Sequence, residues 1–498
     1  MREGIPVSEM KVSWLPWSKK AFQKARELDR PILLAISAVW CHWCHVMDQT
    51  TYSDREIARM IEESYVPIRV DRDQRPDIDK RYNMGGWPTT AFLTPDGGVI
   101  TGATYVPPQQ MKPLLQRINR FYKENKDNIK ARLKELREEE IKAPSAEHEF
   151  DHEFFQSVVD GLTLEIASSF DSSHGGFGNA PKFPQSDALT LALLEHGIQG
   201  DKSLLNIVTK TLQRMSAGDI YDKEEGGFFR YSTARDWSAP HYEKMCEDNA
   251  KLLVNCLEAY QVTGEETFKE TAHGVLTYVG ANLSDRDNGG FYGSQDADEE
   301  YYKLPISERR ERASPRVDKT IYTNWNAMMI SAYLLASVVL KNLSYRKVAV
   351  RTVDLLLEKS YSPRRGMYHY YSSGERHLPG LLTDQASMMK CLMDAYQSTS
   401  DRRFLNYAQN IAGNVLGNLW DNSGGFYDRP KSAEALGALK APGKPFDENS
   451  MAIDAFLRLH YLTGKDGYLG PALRTLEHLA SSYQRYGVLA ATYGLAVE

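Results

Sequence analysis

A glycine–aromatic turn recurs along this chain beyond residue 170. It reads HGGFG from His174, GGFFRY from Gly226, GGFYGS from Gly289, RGMYHYY from Arg365 and GGFYDR from Gly424, at intervals of roughly 50 to 75 residues. Paired helical patterns lie between the turns, for example 248–263 with 265–283, and 383–398 with 402–420. Such a period signals a repeat architecture, in which one unit buries its apolar face only by stacking on its neighbours. About eleven helices fit into the segment, enough for five or six helical hairpins. Closed into a ring they make an (α/α)6 toroid; the alternative is a linear solenoid. The glycines permit positive φ in tight turns. The aromatic residues after them are suited to cap helix ends or to line a central cavity.

The first third of the chain has a different rhythm. Residues 18–29 (SKKAFQKARELD) pattern as a short amphipathic helix, and 31–38 (PILLAISA) as a buried strand. A helix begins at Asp54, with Glu56 in its first turn. Residues 65–71 (YVPIRVD) read as a second strand. TTAFLT, the turn PDGG and VITG read as a hairpin, and a charged helix follows from about 108 to 141. The charges on that helix read as a solvated face. A chain of 498 residues exceeds one core. The polar joint 143–149 (APSAEHE) places the boundary, giving an α/β domain over 1–143 and an all-α toroid over 144–498.

The clearest chemistry lies in Trp40-Cys41-His42-Trp43-Cys44-His45, directly after the apolar strand. A thiolate is the nucleophile of disulfide exchange. A cysteine where a strand gives way to a helix start is stabilised as the anion by the helix dipole and free amides. Cys44, one turn on, is placed to resolve a mixed disulfide. His42 favours the thiolate and Trp43 shields it. Trp87-Pro88, ahead of a strand, suits a cis-proline facing the cysteines, against the ordinary trans form. Cys41 to His45 also fits the CxxCH attachment signature of c-type haem, and Cys41, Cys44 and a histidine would suit zinc. The thiol–disulfide reading needs no cofactor beyond the Cys41–Cys44 pair and no metal, and it implies a protein thiol or disulfide partner.

Composition narrows the setting. The net charge is −6 with both signs mixed, which leaves no basic footprint for nucleic acid and no polybasic segment for an anionic membrane. Five cysteines are too few, and odd in number, for a secreted disulfide framework, and Cys246, Cys256 and Cys391 sit in apolar helical patterns. The N-terminus has no apolar signal region. The uncharged stretch 321–340 is long enough to span a bilayer, but it carries Asn324, Asn326, Ser331 and Ser337 and reads as a buried helix. These features together point to a reducing, cytoplasmic setting.

The stretches WCHWCHVM, IRVDRDQRPDID, GGWPTTAFLTPDG, GGFGNAPKFP, HYEKMCEDNA, GGFYGSQDADEE, TNWNAMM and LTDQASM resemble the thioredoxin-domain family that contains the spermatogenesis-associated proteins and their prokaryotic relatives. The resemblance implies an N-terminal thioredoxin-like domain joined to a toroid similar to six-hairpin glycosidases and N-acylglucosamine epimerases. It also implies Cys41 and Cys44 as the redox pair and Pro88 as the cis-proline. The chain departs from the family pattern between Asp298 and Thr323, where it is compressed, and it ends soon after Tyr493.

A second set of polar residues falls beside the repeat turns: Lys182; His241 with Glu243 and Lys244; Asp248 with Asn249; Asp296 with Asp298; Trp325 with Asn326; Asp384; and Asp447 with Glu448 and Asn449. In a toroid the inner helices begin at one rim, so these residues converge on one cavity. Carboxylates with aromatic walls suit a carbohydrate or another small polar metabolite, with His241 as candidate base. The competing expectation is that Asp248, Asp298, Asp384 and Glu448 are helix caps or first-turn acids. Two functions therefore stand: a dithiol oxidoreductase joined to a carbohydrate-active or carbohydrate-binding toroid, or a binding or interaction protein whose CxxC is a redox sensor or metal site.

Overall fold

The computed structural model describes residues 11–140 and 151–498, and these divide into two compact units. The expected joint at 143–149 lies outside the described residues.

The first unit is built on a four-stranded sheet. Its strands are β1 (Ile32–Ser37), β2 (Val66–Asp71), β3 (Thr89–Leu93) and β4 (Val99–Ala103), in the order β2-β1-β3-β4. β1 runs parallel to β2 (Ile32 opposite Val66) and antiparallel to β3 (Ile36 opposite Thr89). Five helices accompany the sheet: α1 (Lys19–Leu28), α2 (His42–Thr50), α3 (Arg55–Ser64), α4 (Pro76–Tyr82) and α5 (Pro108–Glu140). Alternation along β1 sends Ile32, Leu34 and Ile36 to the face of α1 and α4, and Leu33 and Ala35 to the face of α2, α3 and α5. β1 is therefore covered on both sides, which is why its sequence is a continuous apolar run. Ser18 caps α1 on the Ala21 N–H, and Asp54 caps α3 on the Glu56 and Ile57 N–H groups. α4 is absent from the sequence reading. At seven residues, opening on Pro76, it is too short to show a helical period.

One segment of this unit comes from far along the chain. Residues 431–442 leave the helical unit and pack into the first one. Ala435 and Leu439 are buried in the core formed by Phe22, Ile78 and Tyr82. The Ala438 N–H donates to the Tyr82 hydroxyl at 2.7 Å, and that hydroxyl donates to Gly97 O at 2.8 Å. Gly437 has φ +58°, and a Cβ there would collide with the Tyr82 hydroxyl. A boundary at one joint therefore does not describe the unit.

The second unit contains α6 (His152–Ser169), α7 (Ser186–Gln199), α8 (Lys202–Ala217), α9 (Cys246–Thr263), α10 (Glu266–Tyr278), the short α11 (Glu299–Tyr302) and α12 (Ile306–Arg309), α13 (Thr323–Val339), α14 (Leu343–Lys359), α15 (Leu382–Thr399), α16 (Arg402–Asn418), α17 (Phe446–Thr463), α18 (Leu469–Ala480) and α19 (Ala491–Val497). Contacts run α7 to α9, α13, α15, α17, α19 and back to α7. That closure makes an (α/α)6 toroid and rules out the linear solenoid. Helices α6, α8, α10, α14, α16 and α18 pack outside the ring. The apolar stretch 321–340 is largely α13, an inner helix, and no helix among the described residues is long and apolar enough to cross a membrane. Cys246, Cys256 and Cys391 are buried in inner helices; burial pushes the Cys256 thiol up to about 12 and the other two upward as well.

Truncating Leu439 tests whether 431–442 is part of the first unit's core. Leu439→Ala should destabilise that unit by about 2–4 kcal/mol, read as faster hydrogen exchange in β1 and α4. Unchanged exchange there would show the segment to be a loose loop.

Candidate functional site

β1 ends at Ser37, and after a short turn Cys41 becomes the N-cap of α2. Its backbone is extended, and its sulphur accepts the Cys44 main-chain N–H at 3.2 Å. Cys44 is bonded to it as a disulfide, with Cα atoms 5.2 Å apart. The two cysteines are 5% and 3% exposed, whereas Trp43 is 45% exposed and rests against Tyr105 at 5.1 Å between ring centroids. The His42 ring lies 5.6 Å from that of Trp43. The Trp87–Pro88 peptide is cis, and Pro88 opens β3 beside the end of β1.

A polar network behind the cysteines ties their loop to the proline loop. The Trp40 indole donates to Asp73 Oδ2 at 2.6 Å, and the Trp87 indole donates to Asp79 Oδ1 at 2.9 Å. The Arg72 guanidinium lies 4.4 Å over the Trp87 ring and reaches Asp73 at 3.3 Å and Asp79 at 3.8 Å. The Asp71 carboxylate accepts the Asp73 and Gln74 N–H groups and fixes the intervening turn. Arg72, Asp73 and Asp79 stand within the quoted IRVDRDQRPDID, whose dense alternation of charges after a strand is the signal that the residue-level reading passed over.

In the helical unit, three devices build the recurring turns. First, an aspartate ahead of the glycines accepts the next main-chain N–H groups: Asp171 from Ser173 and His174, Asp222 from Glu224 and Glu225, Asp285 from Asp287 and Asn288. Second, an amide in the first turn of an inner helix grips the residue after the glycines. Asn249 accepts the Phe228 N–H at 2.7 Å and donates to its carbonyl at 3.0 Å. Asn326 does the same to Phe291, Asn449 to Phe426 and Gln385 to Met367. Third, a lysine ahead of the helix closes the turn. Lys182 donates to Asp171 and Gly175 O, both at 2.7 Å, and Lys244 to Asp222 at 2.6 Å and Gly226 O at 2.8 Å. Lys444 does so to Asp421 and Gly424 O. Burial draws Lys244 down to about 8 against the pull of Asp222. Gly227, at φ +79°, leaves no room for a Cβ, which would sit 2.6 Å from the Tyr278 ring. Lys182, Lys244, Asn249, Asn326 and Asn449 are thus engaged in turns.

Asp298 is exposed and caps α11 through the Tyr301 N–H at 2.9 Å. Asp296 follows the strand Ser294–Gln295, which pairs with Lys244–Met245. The compressed segment before Thr323 folds onto the second turn, where Arg309 pairs with Asp222 at 2.7 Å and Glu225 at 3.0 Å.

One residue ahead of the gripping amide stand Asp248, Trp325, Asp384 and Glu448, the first-turn positions of α9, α13, α15 and α17. Consecutive inner helices run in one direction, so these four share a rim. His241 Nδ1 meets Glu243 Oε2 at 2.9 Å, and its ring stacks on Tyr231 at 4.8 Å, which stacks on Phe183 at 4.6 Å. Asp384 is buried against His369 Nδ1 at 3.0 Å. Trp325 packs on Tyr322 at 4.5 Å, and Glu448 is buried, while Asp447 is exposed. Asp248 Oδ2 is buried with no hydrogen-bond partner among the described residues. Burial first, then the Glu247 and Glu243 charges, raise its carboxyl to about 7, against Arg230 and Lys251. Phe183, Tyr231 and His369 lie within the quoted GGFGNAPKFP, GGFFRY and RGMYHYY but are not singled out there as site residues, because loops and strands supply them, not helix starts.

Fold and site together define a thioredoxin-like dithiol unit carried on the same chain as an (α/α)6 toroid. Residues 6–140 match the family model Thioredox_DsbH, described as a protein of unknown function, DUF255. The chain is similar to human spermatogenesis-associated protein 20, with 26% identity over 96% of its own length and 77% of that protein. The rat protein is 36% identical over 58% of this chain, an alignment spanning 39% of its own length. The helical unit shares its fold with cellobiose 2-epimerase from Spirochaeta thermophila, with a TM-score of 0.56 and 15% identity over 70% of this chain and 96% of that one.

Asp248 holds its proton to about pH 7 in the folded chain and to 3.8 when unfolded. A folded value above the unfolded one gives stability that is complete at low pH and declines as pH rises from about 4 through 7. In urea unfolding, Asp248→Asn should match the parent at pH 4 and exceed it at pH 7.5 by about 1–3 kcal/mol. Equal stabilities at both pH values would place Asp248 in water.

Proposed function

We propose that the chain is a thiol–disulfide oxidoreductase whose helical unit binds a carbohydrate or similar polyol at the rim of the toroid. The observation that carries the first half is the position of Cys41: an N-cap residue whose sulphur takes the Cys44 N–H, with Cys44 bonded to it. In the reduced form that N–H and the start of α2 favour the Cys41 thiolate. The thiolate attacks one sulphur of a substrate disulfide, forming a mixed disulfide and expelling the other sulphur as a thiolate. Cys44, deprotonated, then attacks Cys41 Sγ, releasing the second substrate thiol and closing Cys41–Cys44. The substrate gains two electrons and the pair loses two; an external dithiol restores it. Pro88, beside the end of β1, offers a main-chain edge for the substrate polypeptide. Trp43 and Tyr105 supply an exposed aromatic wall.

The second half rests on the rim. Asp248, Asp384 and Glu448 stand on it; Asp248 feels the charge of Glu243, the carboxylate partner that orients the His241 ring of the Phe183–Tyr231–His241 stack. Aromatic faces and hydrogen-bonding acids are what sugar rings and hydroxyls require. Such a histidine–carboxylate pair is equipped to move a proton.

With dithiothreitol as reductant, the chain should reduce insulin disulfides, and Cys41→Ser should abolish turnover. Cys44→Ser should instead accumulate a mixed disulfide with a peptide substrate, detected by mass spectrometry; full activity in Cys41→Ser would refute the nucleophile. For the rim, cellobiose titrated into the full chain should bind, and His241→Ala should weaken it at least tenfold. Absence of binding by cellobiose and by free monosaccharides would remove the carbohydrate reading.

A further inference from the structure

Below the rim, the inner helices enclose a cavity of about 610 Å³. It reaches along α13 from Ala327 to Val338, a depth of ~16 Å at 1.5 Å per residue. Its walls differ in kind from the rim. Among the described residues no aromatic side chain lines it, and Asp248, Trp325, Asp384, Glu448 and His241 are not part of it. Aliphatic side chains reach it from four inner helices, with Met451 on α17 and Leu495 on α19, while Val254, Met328, Leu334 and Leu335 make an aliphatic side on the adjoining α9 and α13.

Three of the four lumen carboxylates are paired with cations. Asp187 meets Lys251 at 2.7 Å, and Asp454 meets Lys390 at 2.5 Å. Asp394 meets Arg458 at 2.5 Å and accepts the Ser331 hydroxyl at 2.6 Å. Glu258, on the α9 wall, has no cation partner among the described residues. Its Oε2 is buried with no hydrogen-bond partner among the described residues, and so is the hydroxyl oxygen of Thr492 on the lining. The lining thus holds four carboxylates and two lysines; Arg458, off the lining, serves Asp394, and Glu258 alone of the four is left without a positive charge among the described residues.

We propose that this lumen is a second site, separate from the rim, which takes a singly charged aliphatic amine: the ammonium on Glu258 and the alkyl chain along the Val254, Leu334 and Leu335 wall. A sugar is a poor fit, because its hydroxyls would find three of the four carboxylates already paired and no aromatic face. A fatty carboxylate would add a fifth negative charge in a partly desolvated space. An alcohol would fill the aliphatic side and leave Glu258 uncompensated. Burial raises Glu258 to about 7, so at pH 8 it is ionised and an ammonium finds a carboxylate.

The test is calorimetric titration of the full chain at pH 8 with octylamine, octanol and octanoate. Octylamine should bind at least tenfold more tightly than octanol, and octanoate least. Glu258→Gln, close in volume, should bring octylamine to the level of octanol while leaving octanol unchanged, which also shows an intact lumen. Cellobiose should not displace octylamine. The proposal is overturned if octylamine does not bind, if octanoate binds as well as octylamine, if Glu258→Gln keeps the amine preference, or if cellobiose competes, which would make lumen and rim one site. If the Gln variant does not fold, the ranking of the three ligands on the parent chain still decides. Failure of cellobiose to bind at all would strike the rim reading and leave this one standing.

Discussion

In both units a side chain at a helix start takes up main-chain groups that would otherwise be left open. At α2 the partner is the Cys41 sulphur on the Cys44 N–H. At α9, α13, α15 and α17 it is the Asn249, Asn326, Gln385 or Asn449 amide, which mates both main-chain groups of the residue after the glycines. Each such contact fixes the helix start relative to a loop, and the residue beside it is aimed by the same contact. Asp248, Trp325, Asp384 and Glu448 stand one position before the amide for this reason. The alternative arrangement, an unpaired N–H and carbonyl in each turn, would cost about 1–3 kcal/mol per buried group.

The cysteine end shows a second layer of the same logic. A cysteine at an N-cap is useful only if its loop is held. The Trp40–Asp73 and Trp87–Asp79 hydrogen bonds hold the cysteine and proline loops, with Arg72 between them. Asp79 lies on α4, whose last residue, Tyr82, is braced by the Ala438 N–H. A segment whose contact residue is 356 positions distant in sequence thus supports the helix that supports the proline loop. Loop-closure entropy grows slowly with length, so so distant a partner is thermodynamically acceptable once apolar side chains such as Leu439 are buried with it.

What could be read from the sequence was what is local. The apolar run of β1, the CxxC after it, Asp54 as a cap and the repeat of glycine–aromatic turns each lie in a few adjacent residues, and the closed ring follows from repeating them. What could not be read has distant partners. Lys182, Lys244 and Asn326 look like pocket residues in a list, but their mates stand 11, 22 and 35 residues away in turns whose geometry no spacing announces. His369 sits on a strand and meets Asp384 across the following hairpin. The lumen charges Lys251, Glu258, Lys390, Asp394 and Asp454 lie mid-helix, where a charge is ordinarily solvent-facing, and only ring closure turns them inward. The 431–442 segment carries no local mark of belonging elsewhere.

The claim on which the account turns is that a helix start makes one sulphur reactive. The direct measurement is the pH dependence of Cys41 alkylation by iodoacetamide in the reduced protein, with Cys44→Ser as the companion that isolates the thiol. The account predicts a midpoint at least one pH unit below the ~8.5 of a free cysteine. A midpoint at or above 8.5 would mean that neither the Cys44 N–H nor the α2 start stabilises the thiolate, and would contradict it.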